Sequence, residues 1–315
     1  MATDTSVAER RTLRTAFSTK DMDGLRRRRA LLGYVFLSPS IVGISIFTAI
    51  PIVVALLLSL FEWNLITDPE FVGLANYERL VSDARTLTTF LNTAIFVALA
   101  VGLQLGIALM LALGLQRAMP GWLRVGLRAA YVFPLLTSAA SISIVLTYTF
   151  NESFGIANYY LGLVGIDPVP WLNSSPYALF AVVLTFVWHQ LGFTFLIILG
   201  GVASMPRDVL DAADVDGAAG WRRLVHITIP LVSPSLLVAA VMSFINAMQV
   251  FDQPYVMTRG GPGDSTRTVV MGIYDAAFRN LELGYGAAIS VVLFVLILLV
   301  TALQFRLSTR WVFYQ

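Results

Sequence analysis

Six apolar stretches, each long enough to cross a bilayer, dominate this chain of 315 residues. They run Leu31–Leu60, Thr89–Leu115, Leu127–Phe150, Tyr177–Ala203, Leu231–Met257 and Gly284–Phe305. About 20 apolar residues in a helix cross the hydrocarbon core. None of the stretches shows the ten-residue alternation of a barrel strand, so helices are the spanning form that satisfies their backbones. The sequence predicts an all-α polytopic membrane protein with six transmembrane helices. Composition agrees, because charged residues make up 13% against about 25% in soluble domains. Arg26–Arg29 precede the first stretch as in a signal peptide, but the apolar run is too long and no small-residue cleavage site follows, which predicts a retained helix. The absence of cysteine excludes disulfides, thiolate metal sites and thiol nucleophiles.

Charge sets the orientation. Alternate connecting segments, counted from the N-terminal tail, hold sixteen Lys and Arg against five in the others. The positive-inside rule then places both termini in the cytoplasm. The organisation expected is a basic tail over 1–30, a six-helix membrane domain over 31–310 and a short tail over 311–315. Trp63, Trp171 and Trp311 lie near span ends, where interfacial aromatics belong. Asp252 is the one acidic residue inside a span, near the outer end of the fifth. It reads either as a headgroup-level carboxylate or as a polar contact on a solute path.

The segment Ser204–Pro230 is the most informative. Ser204 can cap a helix whose first turn tolerates Pro206. Asp208, Asp211 and Asp214 recur three apart and form an acidic face, while Val209, Ala212 and Ala213 form a small apolar one. Gly217 breaks the helix. A second helix follows, with Trp221, Leu224, Val225 and Thr228 on one side, and Pro230 ends it. Such a pair can lie on the membrane surface. Small alanines beside a Gly bend suit close packing into another protein's groove better.

The run Met205–Ala218 followed by Ile227-Thr-Ile-Pro230 resembles the EAA loop of bacterial ABC importer permeases. That pattern is Glu-Ala-Ala, three residues, Gly, nine residues, Ile-x-Leu-Pro. Ala212, Ala213, Gly217, Ile227 and Pro230 match. Asp211 stands where the family usually has Glu, and Ile229 where it has Leu. The resemblance implies the type I ABC importer permease fold. It also implies that Asp211, Ala212, Ala213, Asp216, Gly217 and Pro230 transmit motion from a separate ATPase. Phe251, Asp252, Tyr255, Thr258, Gly260, Gly261 and Pro262 are similar to the end of the fifth span in carbohydrate importer permeases. Phe36-Leu-Ser-Pro39 and Gly73-Leu-Ala-Asn-Tyr77 also resemble that group, and more narrowly its maltose-permease first-subunit type. The partners so implied are a second homologous permease, two copies of a cytoplasmic ATP-binding subunit, an extracytoplasmic solute-binding protein and membrane lipid, with no nucleic acid. The chain itself is expected to bind no cofactor, ATP and Mg belonging to the partner ATPase, and to reside in the bacterial plasma membrane.

On a continuous helix at 100° per residue, Asn246, Gln249 and Gln253 fall within roughly 60° of one another. Such an amide stripe can bind a hydroxyl-rich solute or join helices. His189, near mid-membrane, reads as a structural hydrogen-bonder or a functional group, and Tyr148 as a stacking or interfacial ring.

No enzyme chemistry is visible. The chain lacks a GxxxxGK[ST] loop and has only two histidines. The expected function is therefore the permease subunit of an ATP-driven importer that moves a carbohydrate by alternating access. Glycerol 3-phosphate or a glycerophosphodiester is the alternative cargo, with Arg259 and Arg267 in outer loops supporting it. An ion-coupled secondary transporter is the alternative class, for which Asp252 and His189 alone offer ionisable groups.

Overall fold

The computed structural model describes residues 19–116 and 119–313. The basic residues Arg10, Arg11 and Arg14 and the tail end Tyr314–Gln315 lie outside the described residues. The chain divides into two units, 1–57 and 58–315.

The first unit is helical. Helix α1 (Thr19–Ile44) passes through one π turn at Ser45–Ala49 into α2 (Ile50–Leu58). The turn precedes Pro51, and Ile50 N–H bonds five residues back to the Ser45 carbonyl. Proline has no N–H to donate and its ring crowds the carbonyl four residues back. A single wider turn accommodates it without ending the helix. Leu31–Leu58 is long and apolar enough to span a membrane.

The second unit starts with a short hairpin of β1 (Phe61–Glu62) and β2 (Glu70–Phe71), antiparallel with Phe61 opposite Phe71. Helix α3 (Ala75–Ser82) leads into the long α4 (Ala84–Gly114). Next come α5 (Gly121–Val132) and α6 (Ala139–Thr149), joined by a 3-10 turn at Phe133–Leu136. After α7 (Ile156–Leu163) and α8 (Tyr177–Ala203), the coupling-type segment forms α9 (Arg207–Val215) and α10 (Gly220–Arg223). The chain ends with α11 (Ile229–Met248), α12 (Asp252–Met257), α13 (Val269–Tyr274) and α14 (Leu283–Ser308). Among the described residues five helical lengths suffice to cross a membrane, and six if the bent pair α5–α6 is one span.

Three expectations change. The third span is not straight. Its halves, Gly121–Leu136 and Ala139–Thr149, meet at 105°, because Pro134 sits in the 3-10 turn and Thr137 adopts an extended φ of −102° and ψ of 158°. The fifth span is broken at Gln249–Phe251, where Phe251 has φ −135° and ψ −53°, and it restarts at Asp252. Pro230 does not end a helix. A π turn at Leu224–Thr228 again precedes it, with Ile229 N–H bonded to the Leu224 carbonyl, and the helix runs on into α11.

Helix α8 is the centre of this unit. It is apolar on all sides, as expected of a helix enclosed by others, and α4 and α11 pack against it and against each other. Phe96 of α4 meets Phe186 of α8 edge-on at 5.2 Å between ring centres, and Phe195 meets Tyr131 of α5 at 5.5 Å. Two glycines let neighbours come close. A Cβ on Gly192 would lie 2.7 Å from the Tyr131 carbonyl oxygen, and one on Gly201 would meet Ser235 of α11.

Gly192→Ala must force α8 away from the α5 backbone, a cost of about 1–3 kcal/mol. Thermal unfolding in detergent should show a lowered midpoint for Gly192→Ala. It should show no loss for Gly102→Ala on α4, whose added methyl meets nothing within 4 Å.

Candidate functional site: the coupling segment and the opposite mouth

The ends of the helices define two faces of the second unit. At one end the last turns of α4 and α8 meet the first turn of α11, with Leu115, Val202 and Val232 in one cluster. The segment Ser204–Pro230 leaves from this end. Ser204 does not cap α9. Its hydroxyl donates to the Gly201 carbonyl at 2.9 Å and finishes α8 instead, while Pro206 occupies the N-cap position without a side-chain bond.

The other end of α9 is closed by a Schellman motif. Gly217 has φ +69°, Ala218 N–H bonds to the Ala213 carbonyl at 2.9 Å, and Gly217 N–H bonds to the Asp214 carbonyl at 3.2 Å. This is the hydrogen-bond pattern a left-handed residue at this position makes. Asp216 precedes it, its N–H on the Ala212 carbonyl at 2.9 Å. Ala213 is buried, whereas Asp208, Asp211, Ala212 and Asp216 are exposed. The two alanines therefore differ in exposure, Ala212 outward and Ala213 packed inward. Asp214 pairs with Arg223 and ties α9 to α10. Val215 and Trp221 are 88% and 75% exposed, so the chain leaves an apolar edge beside an acidic face. Pro230 is half-buried, inside the uninterrupted helix that carries α10 into α11.

At the opposite end the first turns of α4 and α14 meet the loops around α12 and α13. Arg79 clasps Glu282 through two bonds of 3.1 and 2.9 Å, and its guanidinium lies 4.1 Å over the Tyr285 ring. The Glu282 hydrogen bond raises the Arg79 pKa. Arg85 grips Asp264 at 2.8 and 3.1 Å, and this bond holds the Asp264 carboxyl below its ordinary value. Arg267, 7% exposed, pairs with Asp275. A cleft of about 430 Å³ opens here, lined among others by Glu62, Trp63, Arg79 and Glu282. At the same end of the unit the turn Gly260–Gly263, which contains a cis Gly261–Pro262 bond, is held by Thr266, whose N–H bonds to the Gly260 carbonyl at 3.1 Å.

The structure separates the residues of the expected amide stripe. Asn246 lies on α11 and is half-buried, Gln249 is exposed at the break, and Gln253 is buried on α12. A single-helix angle cannot relate residues on either side of the break. Asp252 is exposed in the first turn of α12. Tyr148 is 63% exposed, near Phe154. His189 is 7% exposed, with Nε2 3.1 Å from the Thr137 carbonyl at the bend of the third span. That carbonyl lies where the helical ladder stops.

Two groups went unread in the sequence. Phe251, Tyr255, Tyr274 and Phe278 form a chain of rings, with Phe251 stacked on Tyr255 at 4.9 Å and Tyr274 within 5.6 Å of both. Phe251 and Tyr255 are in the quoted motif, but nothing local links them to Tyr274. The second is Gln104, buried on α4 and bonded to α8. A lone amide in an apolar run gives no sign of its partner.

Residues 104–312 match the family model described as binding-protein-dependent transport system inner membrane component. The chain belongs to that family. It is 35% identical to the sulfoquinovosyl glycerol transport system permease protein of Agrobacterium fabrum, over 88% of this chain and 90% of that one. It is 34% identical to the trehalose/maltose transport system permease protein of Thermococcus litoralis, over 90% and 96%. The sn-glycerol-3-phosphate transport system permease protein of Agrobacterium fabrum is 32% identical, over 90% and 97%. Among solved structures, a bacterial alginate ABC transporter in complex with alginate pentasaccharide-bound periplasmic protein superposes with a TM-score of 0.78 at 19% identity, covering 90% and 96%. The fold is that of an ABC transporter permease, an inner membrane component.

The burial of Arg267 beside Asp275 bears on cargo, because this guanidinium is committed within the chain. Removing one partner of a buried pair costs about 3–5 kcal/mol. Asp275→Asn should therefore lower the thermal midpoint sharply. An unchanged midpoint would mean that Arg267 is not held by this pair and is free for a ligand.

Proposed function

We propose that this chain is the permease subunit of an ATP-driven importer for a neutral carbohydrate, moved by alternating access. The observation that carries the coupling is the unbroken helix from α10 into the fifth span, to which α9 is tied. The Schellman cap fixes the turn at Gly217, Asp214–Arg223 ties the two short helices, and the π turn carries the helix through Pro230. A push on α9 then reaches α10 through the capped turn and the Asp214–Arg223 pair, and reaches α11 through continuous helix. The exposed edge of Val215, Trp221 and Ala212, flanked by Asp208 and Asp211, is the docking face for a separate ATP-hydrolysing subunit. ATP and Mg reside on that subunit, and this chain has no ATPase site of its own.

The orientation follows the positive-inside rule, with both termini and α9 cytoplasmic and the clasped mouth outside. A second homologous permease, two ATP-binding subunits and an extracytoplasmic solute-binding protein complete the assembly. Residues 1–30 and 311–315 are tails, and 31–310 are the permease domain. A carbohydrate is favoured because the named cargo of one relative is trehalose or maltose. The exposed Gln249 and half-buried Asn246 offer uncharged donors and acceptors, with Phe251 and Tyr255 stacked nearby. Asp252 and Tyr148, both exposed, complete the path. Gln253 and His189 support it from buried positions. Glycerol 3-phosphate remains the second reading, since one relative carries that name, but Arg267 is paired within the chain. Membership of the family displaces the ion-coupled reading.

Two variants test the proposal. A side chain at Gly217 meets nothing within 4 Å and suffers only its φ of +69°, a cost of roughly 1–2 kcal/mol. Gly217→Asp should insert and fold yet lose ATP-dependent uptake, while Gly165→Asp, equally strained at φ +79° and equally open, should retain it. Normal uptake by Gly217→Asp would refute the coupling role. Gln249→Ala should shift solute preference in uptake competition without impairing assembly. Unchanged preference would remove Gln249 from the path.

A further inference from the structure

We infer that Gln104 is a positioning residue of the transport cycle, which binds the second, fourth and fifth spans into one moving body. The inference rests on the importer reading above. Gln104 is 2% exposed on α4. Its Nε2 donates to the Gln190 carbonyl at 3.1 Å and to Thr194 Oγ1 at 2.6 Å, both on α8. Thr194 Oγ1 lies 3.1 Å from Ser243 Oγ on α11. Thr194 and Ser243 are 0% and 1% exposed. The Gln104 carboxamide thus ties α4 to α8, and the Thr194 hydroxyl carries the tie on to α11, next to an apolar cluster that contains Phe195, Ile198 and Ala239.

The chemistry at this point is directional. Gln104 turns both amide hydrogens towards α8, and its Oε1 is buried with no partner among the described residues. Rotating the amide would bring two carbonyl oxygens together at Gln190. A buried acceptor left unpaired is costly, so for stability alone an apolar residue of the same size would serve better here. Polar contacts between membrane helices are individually modest. Their value at this site is register: they fix which turn of α4 and α11 faces Thr194. Since α8 leads directly to the coupling segment, and α11 leads directly from it, displacement of that segment moves all three spans together.

Stability and coupling therefore respond in opposite senses. Gln104→Leu keeps the volume and removes the unpaired oxygen, so its thermal midpoint should equal or exceed that of wild type. In the purified complex in nanodiscs, with no binding protein added, Gln104→Leu should raise ATP hydrolysis about fivefold, because the ATPase can then cycle without moving the path. Thr194→Val should behave alike. Thr194→Ser, which keeps the hydroxyl, should stay within twofold of wild type. Both singles remove the Gln104–Thr194 bond, and Thr194→Val also removes the contact with Ser243, so the effect of the double variant Gln104→Leu/Thr194→Val should be smaller than the sum of the two.

The chain has no cysteine, so spin labels can be placed at Leu99, Leu196 and Val238, which are exposed on α4, α8 and α11. The three distances should be narrow in wild type and broadened in Gln104→Leu. Wild-type hydrolysis and distances in Gln104→Leu would overturn the inference, as would additive effects in the double variant. If instead the wild-type chain fails to assemble with any ATPase, the importer reading fails, while the distance comparison still tests the tie in the isolated permease.

Discussion

The rest of the second unit depends on the enclosure of α8. Between lipid tails an apolar helix has no hydrophobic reason to seek another helix, so association relies on close contact and on the few polar groups that cannot remain unpaired. Helix α8 uses both. Its glycines bring the backbone of the third span and the side chain of Ser235 within reach. Its polar residues sit at the points where neighbours offer a partner. His189 reaches the Thr137 carbonyl at the bend of the third span, and Thr194 joins Gln104 to Ser243. The bend and the central contacts are thus secured by the same turn and a half of helix.

Proline shapes how the helices of this chain continue or break. In two places a π turn ends two residues ahead of a proline, at Ser45–Ala49 before Pro51 and at Leu224–Thr228 before Pro230. The wider turn absorbs the missing donor and the ring, so the helix continues. At Pro134 the chain takes the other course, and an extended Thr137 turns the span by 105°. Proline alone does not distinguish these outcomes. They depend on whether neighbouring backbone can stay bonded, which tertiary packing decides.

This explains how far the sequence could be read. The apolar runs, the Gly217 turn and the family pattern around Ala212, Ala213 and Gly217 are local signals, and the structure contains the corresponding spans and turn. The breaks combine local and distant causes. Pro254 has no N–H to bond the Val250 carbonyl four residues back, and Thr268 Oγ1 donates to that carbonyl at 2.9 Å instead, a partner supplied from eighteen residues away. Ser204 had two helices to choose between, and it bonds backward to Gly201. Arg267 reads in the sequence as a free outer-loop cation because Asp275 approaches it only after α13 has folded. Gln104 needed Thr194, ninety positions on.

The most direct test of the account is the ATPase activity of the purified complex in lipid, measured with a saccharide-loaded binding protein encoded beside this chain. The account predicts that the chain copurifies with an ATPase, that the loaded binding protein stimulates hydrolysis, and that Gly217→Asp abolishes the stimulation while leaving the membrane component folded. A complex that hydrolyses ATP at the same rate with and without the loaded binding protein, or a Gly217→Asp variant that is stimulated like wild type, would contradict it.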